Sequence, residues 1–255
     1  MRSRQEIKAI GKEQFKLNYW NCVLAALLVT AVLGVLSWMS NGQEIARVVS
    51  TGQDAFRVVS GQQDTFYMMD SQPVQSTVSV RANAGGLLML LLGGPITVGL
   101  NYFFVKNVRG ERDELSVTTP FTEAFKNYPR KLGGSLWMGL FVFLWSLLFL
   151  IPGIIKGISY AMTQYILADC PNVKAKDALK LSMRMMDGHK WEYFVFGLSF
   201  IGWILLSVIT LGLAAAFYTE PYMHSSTAQY YLEVRNEALR TGAITQGQLD
   251  GTELV

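Results

Sequence analysis

Leu132-Gly-Gly-Ser-Leu-Trp-Met-Gly-Leu-Phe-Val-Phe-Leu-Trp-Ser-Leu-Leu-Phe-Leu-Ile-Pro-Gly-Ile-Ile155 contains no Asp, Glu, Lys or Arg. A helix needs about 20 apolar residues to cross about 30 Å of hydrocarbon, and this stretch exceeds that length. Three further windows are equally free of charge: residues 17–43, 82–105 and 193–219. Four such windows in one chain have no soluble reading. Composition agrees, with 51% hydrophobic and 16% charged residues and a mean hydropathy of +0.25; an ordinary soluble domain is about 25% charged. The expectation is an all-α, polytopic transmembrane helix bundle forming a single integral membrane domain over residues 1–255.

Working outward from the quoted stretch, Pro152-Gly153 reads as a turn between two spans. A fourth helix then runs to about Ala168, ahead of Asp169-Cys170-Pro171. Residues 175–187 alternate apolar and basic positions as an amphipathic helix, and Gly188 ends it. Upstream lies a basic segment, 106–131, with a short amphipathic helix around 121–125, and before it a second span at about 84–105. The first span covers about 17–39, with Tyr19, Trp20 and Trp38 at the interfaces. Its apolar run is long for a signal peptide and no small-x-small site follows, so it reads as uncleaved. Residues 1–16 place Arg2, Arg4, Lys8, Lys12 and Lys16 around Ile7, Ile10 and Phe15, the pattern of a basic amphipathic helix at a membrane face.

Residues 41–83 form a polar connection with a tandem duplication: residues 47–56 and 57–66 are identical at 7 of 10 positions. Two copies are too few for a solenoid, and surface loops accept insertions readily. The last window, 191–232, accommodates two spans joined near Thr210-Leu211-Gly212. A small-x-x-Tyr element recurs in Gly99-Leu-Asn-Tyr102, Gly157-Ile-Ser-Tyr160 and Ala215-Ala-Phe-Tyr218. The chain therefore reads as about six spans in three weakly repeated helical hairpins, each preceded by a cytoplasmic amphipathic helix.

Charge orients this arrangement. Segments 1–16, 106–131, 170–190 and the tail 233–255 hold five, six, five and two Lys or Arg, against three, one and none in the opposite connections. Positive-inside places both termini in the cytoplasm and the 41–83 loop outside. Cys22 and Cys170 then face the reducing side, so no disulfide is expected. His189 and His224 are the only histidines, too few for a metal site.

No phosphate loop, zinc motif or nucleophile elbow is present, so no catalytic activity and no cofactor are expected. Ionisable groups inside the membrane are the informative exceptions. Glu220 lies about 12 Å past the 210–212 turn at 1.5 Å per residue. Pro221 follows it, and His224 shares its helix face. With Tyr160 and Lys156 these form a candidate intramembrane polar site. The alternatives are a structural contact fixing helix packing, and for Lys156 a side chain that snorkels to the interface.

The run Gly157-Ile-Ser-Tyr-Ala-Met-Thr-Gln-Tyr-Ile-Leu-Ala-Asp-Cys-Pro171 resembles a bacterial membrane-protein family known as domain of unknown function 975. So do Ala178-Leu-Lys-Leu-Ser-Met-Arg-Met-Met-Asp-Gly-His-Lys-Trp191, Leu198-Ser-Phe-Ile-Gly-Trp203 and Pro221-Tyr222. The basic N-terminal helix and first span fit as well, and the duplicated loop stands apart as a private insertion. The resemblance implies a multi-pass protein of the bacterial cytoplasmic membrane and carries over no catalytic residue. The expected role is a scaffold, an envelope-homeostasis factor or an accessory subunit. Its partners would be the lipid bilayer and anionic lipids or a protein at the cytoplasmic face, with no nucleic acid. The alternative is a transporter or permease component with its site around Glu220.

Overall fold

A computed structural model describes residues 1–59, 84–148, 150–253 and 255, and among these all regular structure is helical. In chain order the helices are α1 (Arg4–Leu17), α2 (Tyr19–Val59), α3 (Ala84–Arg109), α4 (Thr119–Phe125), α5 (Tyr128–Leu148) and α6 (Leu150–Ser159). They continue as α7 (Thr163–Asp169), α8 (Ala175–Met185), α9 (Lys190–Leu198), α10 (Ile201–Ile209), a π-helical turn at Ala215–Thr219, α11 (Glu220–Arg240) and α12 (Gln246–Leu249). The chain forms two compact units, one of Met1–Ala31 with Leu91–Val255, the other of Val32–Leu90. The smaller unit contains the later part of α2 and the start of α3.

Three helical stretches are long and apolar enough to cross a bilayer: Tyr19–Met39, Gly86–Arg109 and Lys190–Ile209. Large apolar side chains stand outward, Trp191 at 74% and Leu211 at 95% exposure. Outward-facing surface of this kind marks a membrane-associated protein rather than a soluble one.

α1 begins at a capping box. Ser3 Oγ accepts from the Glu6 N–H, and Glu6 Oε2 accepts from the Ser3 N–H at 2.9 Å, which satisfies donors that a helix start leaves over. Its stripe of Ile7, Gly11 and Phe15, four residues apart, is buried. That stripe packs antiparallel along α11. The N-terminal ammonium of Met1 pairs with Glu237 at 3.3 Å, Ser225 Oγ donates to the Gly11 carbonyl at 2.8 Å, and Phe15 meets the Tyr218 ring at 5.7 Å. A Cβ on Gly11 would lie 2.7 Å from Ser226 Cα, so only glycine lets the two backbones meet there. The amphipathic pattern of residues 1–16 is therefore used against a helix, with Arg2, Arg4 and Lys16 left exposed.

Among the described residues, α3 carries an internal proline and two apolar stretches break between helices, and at each of these places a side chain from elsewhere meets a freed carbonyl. Pro95, inside α3, has no N–H for the Leu91 carbonyl, and the Tyr128 hydroxyl donates to it at 3.0 Å. Between α6 and α7 the Ser159 carbonyl accepts from Ser182 Oγ at 2.8 Å. Between α9 and α10 the Trp203 N–H bonds Phe200. The Ser199 carbonyl left over accepts from Lys8 Nζ at 3.1 Å, and that ammonium lies 4.2 Å from the Phe200 ring centre.

Two expected connections differ in place. α2 continues as helix to Val59, so the first copy of the duplicated decapeptide, residues 47–56, is helical rather than loop; most of the second copy lies outside the described residues. Pro152-Gly153 is not a turn either. Both belong to the first turn of α6, where proline costs no helical hydrogen bond, and Gly153 closes onto Ser146 of α5. The turn at 210–212 is where the sequence puts it: Leu211 (φ 52°) and Gly212 (φ 89°) are left-handed, and Ser207 Oγ donates to Thr219 Oγ1 across it at 3.0 Å.

Gly11→Ala is expected to cost about 1–3 kcal/mol by overpacking the α1–α11 contact. Gly197→Ala, on a helical glycine with nothing within 4 Å of its added Cβ, gains the same helix propensity and should not destabilise. Thermal unfolding in detergent separates the two.

Candidate functional site

Polar chemistry concentrates around the end of α7. Asp169, with 6% of its side chain exposed, receives both guanidinium nitrogens of Arg109 at 2.5 and 2.7 Å and the Tyr231 hydroxyl at 2.9 Å. Arg235 Nε stands 3.6 Å away. One carboxylate thus holds the C-terminal end of α3 and two residues of α11, an arrangement of charge-assisted bonds stronger than neutral ones. Beside it, Arg130 of α5 donates to the carbonyls of Leu167, Cys170 and Val173 at 2.5–2.9 Å. A guanidinium at these carbonyls caps the α7 terminus and suits the negative end of its dipole. Cys170 lies buried between these groups, and burial pushes its thiol up to about 11, so it is a packing residue rather than a nucleophile.

Lys131, adjacent to the Arg130 clamp, is buried. Its ammonium donates to the Glu123 carbonyl and lies 4.0 Å from that residue's carboxylate. Burial is the leading influence on it and pushes it down to about 8; Glu123 opposes the shift, while Arg130 and Lys126 add to it.

A separate groove of about 480 Å³ lies along α5. Its aromatic wall is Trp137, Phe141 and Trp145, one face of the helix at four-residue spacing, joined by Tyr160; Leu179 and Met183 of α8 complete the apolar lining. Trp137 and Phe141 stack with ring centres 5.6 Å apart, and Phe141 lies 6.3 Å from Tyr160. Three ammonium groups border it. Lys156 Nζ sits 5.1 Å over Trp145 and Lys176 Nζ 4.9 Å over Trp137. Lys180 Nζ lies 3.6 Å from Asp177 and donates to Val255 O at 3.2 Å.

The four residues singled out in the sequence occupy two places. Lys156 and Tyr160 share the groove. Glu220 Oε2 accepts from Thr30 Oγ1 at 2.9 Å, which ties α11 to α2. His224, half-buried, stacks on Phe104 of α3 with ring centres 5.2 Å apart and planes 14° apart. Among the described residues no hydrogen bond or ion pair joins the first pair to the second, and no group of three metal-ligating side chains is present. The sequence reading does not single out Trp137, Phe141, Trp145, Lys176 or Lys180. The four-residue aromatic spacing in α5 is the signal that points to them. Asp169 and Arg130 carry no such signal, because their partners lie far away in the chain.

Residues 147–238 match the family described as protein of unknown function (DUF975), in agreement with the resemblance carried by the 157–171 and 178–191 motifs. The matched region holds Asp169, Tyr231, Arg235, Lys156, Tyr160 and Lys176, together with Glu220 and His224. The aromatic wall of α5 precedes it. No curated protein and no solved structure matches the chain.

Asp169→Asn should destabilise the protein by about 3–5 kcal/mol by leaving two guanidinium groups without their counter-charge. Asp187→Asn, which loses only an exposed pair with Lys190, should leave the unfolding temperature unchanged. Lys131 has a pH signature. Its folded-state value lies below the ordinary 10.5, so between about pH 8 and 10.5 the unfolded chain binds more protons and stability rises with pH. The stability difference between wild type and Lys131→Met should therefore move in the wild type's favour across that window, read by unfolding scans at stepped pH.

Proposed function

We propose that the protein is a non-catalytic, six-span protein of the bacterial cytoplasmic membrane, a scaffold or accessory subunit with both termini in the cytoplasm. One observation carries this reading: segments 1–16, 106–131, 170–190 and 233–255 interlock. Gln14 bonds Arg112 and Asn107, and Met1 pairs with Glu237. Arg109 joins Asp169, and Asp169 joins Arg235. A Cβ on Gly251 would lie 2.7 Å from Asn172 O, so the tail packs on the loop after α7. These contacts support placing the four segments on one side of a bilayer, with an even number of crossings between each and the next. Two, two and two fits the lengths of the apolar stretches. These segments are also the lysine- and arginine-rich ones, and positive-inside puts them in the cytoplasm.

The intramembrane groups support a structural role over transport. Glu220 bonds Thr30, and His224 stacks on Phe104. Both contacts fix α11 against the first hairpin. In this reading the basic layer meets anionic lipid headgroups or a protein partner.

The test is a single cysteine at position 220 in a chain with Cys22 and Cys170 replaced by serine. A membrane-impermeant maleimide is expected to leave Glu220→Cys unlabelled in intact cells and in inverted vesicles, with insertion retained. Labelling at 220, absent from neighbours on the opposite helix face, would mean a water-filled cavity and would replace this reading with the transporter one.

A further inference from the structure

We infer that the groove along α5 binds an anionic glycerophospholipid drawn from the leaflet on the side of α8. The inference rests on the membrane orientation proposed above and deepens it by naming a ligand. The groove combines two surfaces that seldom adjoin. Its floor is the aromatic stripe Trp137, Phe141 and Trp145, which extends about 12 Å along the helix, a length suited to an acyl chain. Its rim carries the ammonium groups of Lys156, Lys176 and Lys180, the last paired with Asp177, and among the described residues no carboxylate lines it. Among the described residues Lys156 and Lys176 have no acidic partner; each lies over a tryptophan face instead.

An ammonium over an indole is stabilised by the ring quadrupole but keeps its full charge. Beside apolar walls the field of these two groups is poorly screened. A phosphate at the Lys176–Lys180 end would neutralise it, with the chain laid along the aromatic stripe toward Trp145 and Lys156. Leu140, Leu144 and Leu147 flank this face and are exposed, so a lipid reaches it sideways from the bilayer. A zwitterionic lipid brings its own cation and loses most of the attraction. A free phosphate would leave the aromatic floor uncovered, and the apolar lining therefore selects the lipid over the ion.

Tryptophan quenching in nanodiscs tests this directly, because two of the lining residues are the reporters. Chain-brominated phosphatidylglycerol, a minor fraction of a phosphatidylcholine disc, is expected to quench about twofold more than chain-brominated phosphatidylcholine at the same fraction. The excess should disappear in Trp137→Phe/Trp145→Phe and in Lys156→Gln/Lys176→Gln/Lys180→Gln, and persist in Lys12→Gln/Lys16→Gln. Lys176→Gln alone should reduce it if the triple variant fails to insert. Equal quenching by the two lipids in wild type would overturn the inference. So would an excess that survives the groove substitutions, or one abolished by millimolar inorganic phosphate, which would make the site a free-anion pocket. Size-exclusion of the same discs reports insertion separately. A lost preference with normal insertion and an unlabelled position 220 would sink the lipid site alone; labelling at 220 with the preference intact would sink only the scaffold reading.

Discussion

A backbone carbonyl in hydrocarbon has no water to meet, and leaving one without a donor costs several kcal/mol. Among the described residues, the proline inside α3 and the breaks at 160–162 and 199–200 each free a carbonyl in apolar sequence, and to each a donor arrives from another element. Tyr128 comes from the start of α5, Ser182 from α8 and Lys8 from α1. The constraint ties local to tertiary structure. A helix that carries Pro95, or one interrupted at 160–162 or 199–200, is stable only with its neighbour in place, so each of these places obliges a specific packing partner. Lys8 bears the heaviest demand, since it brings a charge to the Ser199 carbonyl and burial pulls its ammonium below the usual lysine range.

The polar layer works by the same logic with charges. Asp169 stands among groups from α3 and α11, and among the described residues Arg130 faces three carbonyls with no carboxylate of its own. Desolvating such groups is costly and their attraction roughly repays it, so a buried pair is weak evidence for net stability. Its effect is selective. An arrangement that separates Arg109 from Asp169 strands two charges, and alternative packings of otherwise interchangeable apolar helices are thereby penalised.

The sequence made some of this legible for identifiable reasons. Charge-free windows and amphipathic periodicity reveal where helices lie, and the left-handed turn at 210–212 is marked by a glycine among apolar residues. Pro152-Gly153 misleads because proline is welcome in a first turn, a position indistinguishable from a loop without knowing where the helix starts. The extension of α2 to Val59 is hidden by polar residues that also suit a loop. For the site, Glu220 and His224 are visible as polar groups in apolar sequence, yet their partners Thr30 and Phe104 are more than a hundred residues away. The groove's lysines and aromatics belong to three separate helices, and only their α5 component has a spacing that announces itself.

The antiparallel seat of α1 on α11 fixes an order of events during biogenesis. Synthesis delivers the chain from its N-terminus, so α1 is complete long before residues 220–240 exist. Through that interval Ile7 and Phe15 lack the α11 surface that covers them in the fold. Docking waits until the chain beyond the turn at Leu211 has been made, and only then do Lys8 and Gly11 both have their partners Ser199 and Ser225. The closing of α1 onto α11 thus comes late, and a chain stopped short of residue 220 leaves the Ile7–Gly11–Phe15 stripe uncovered.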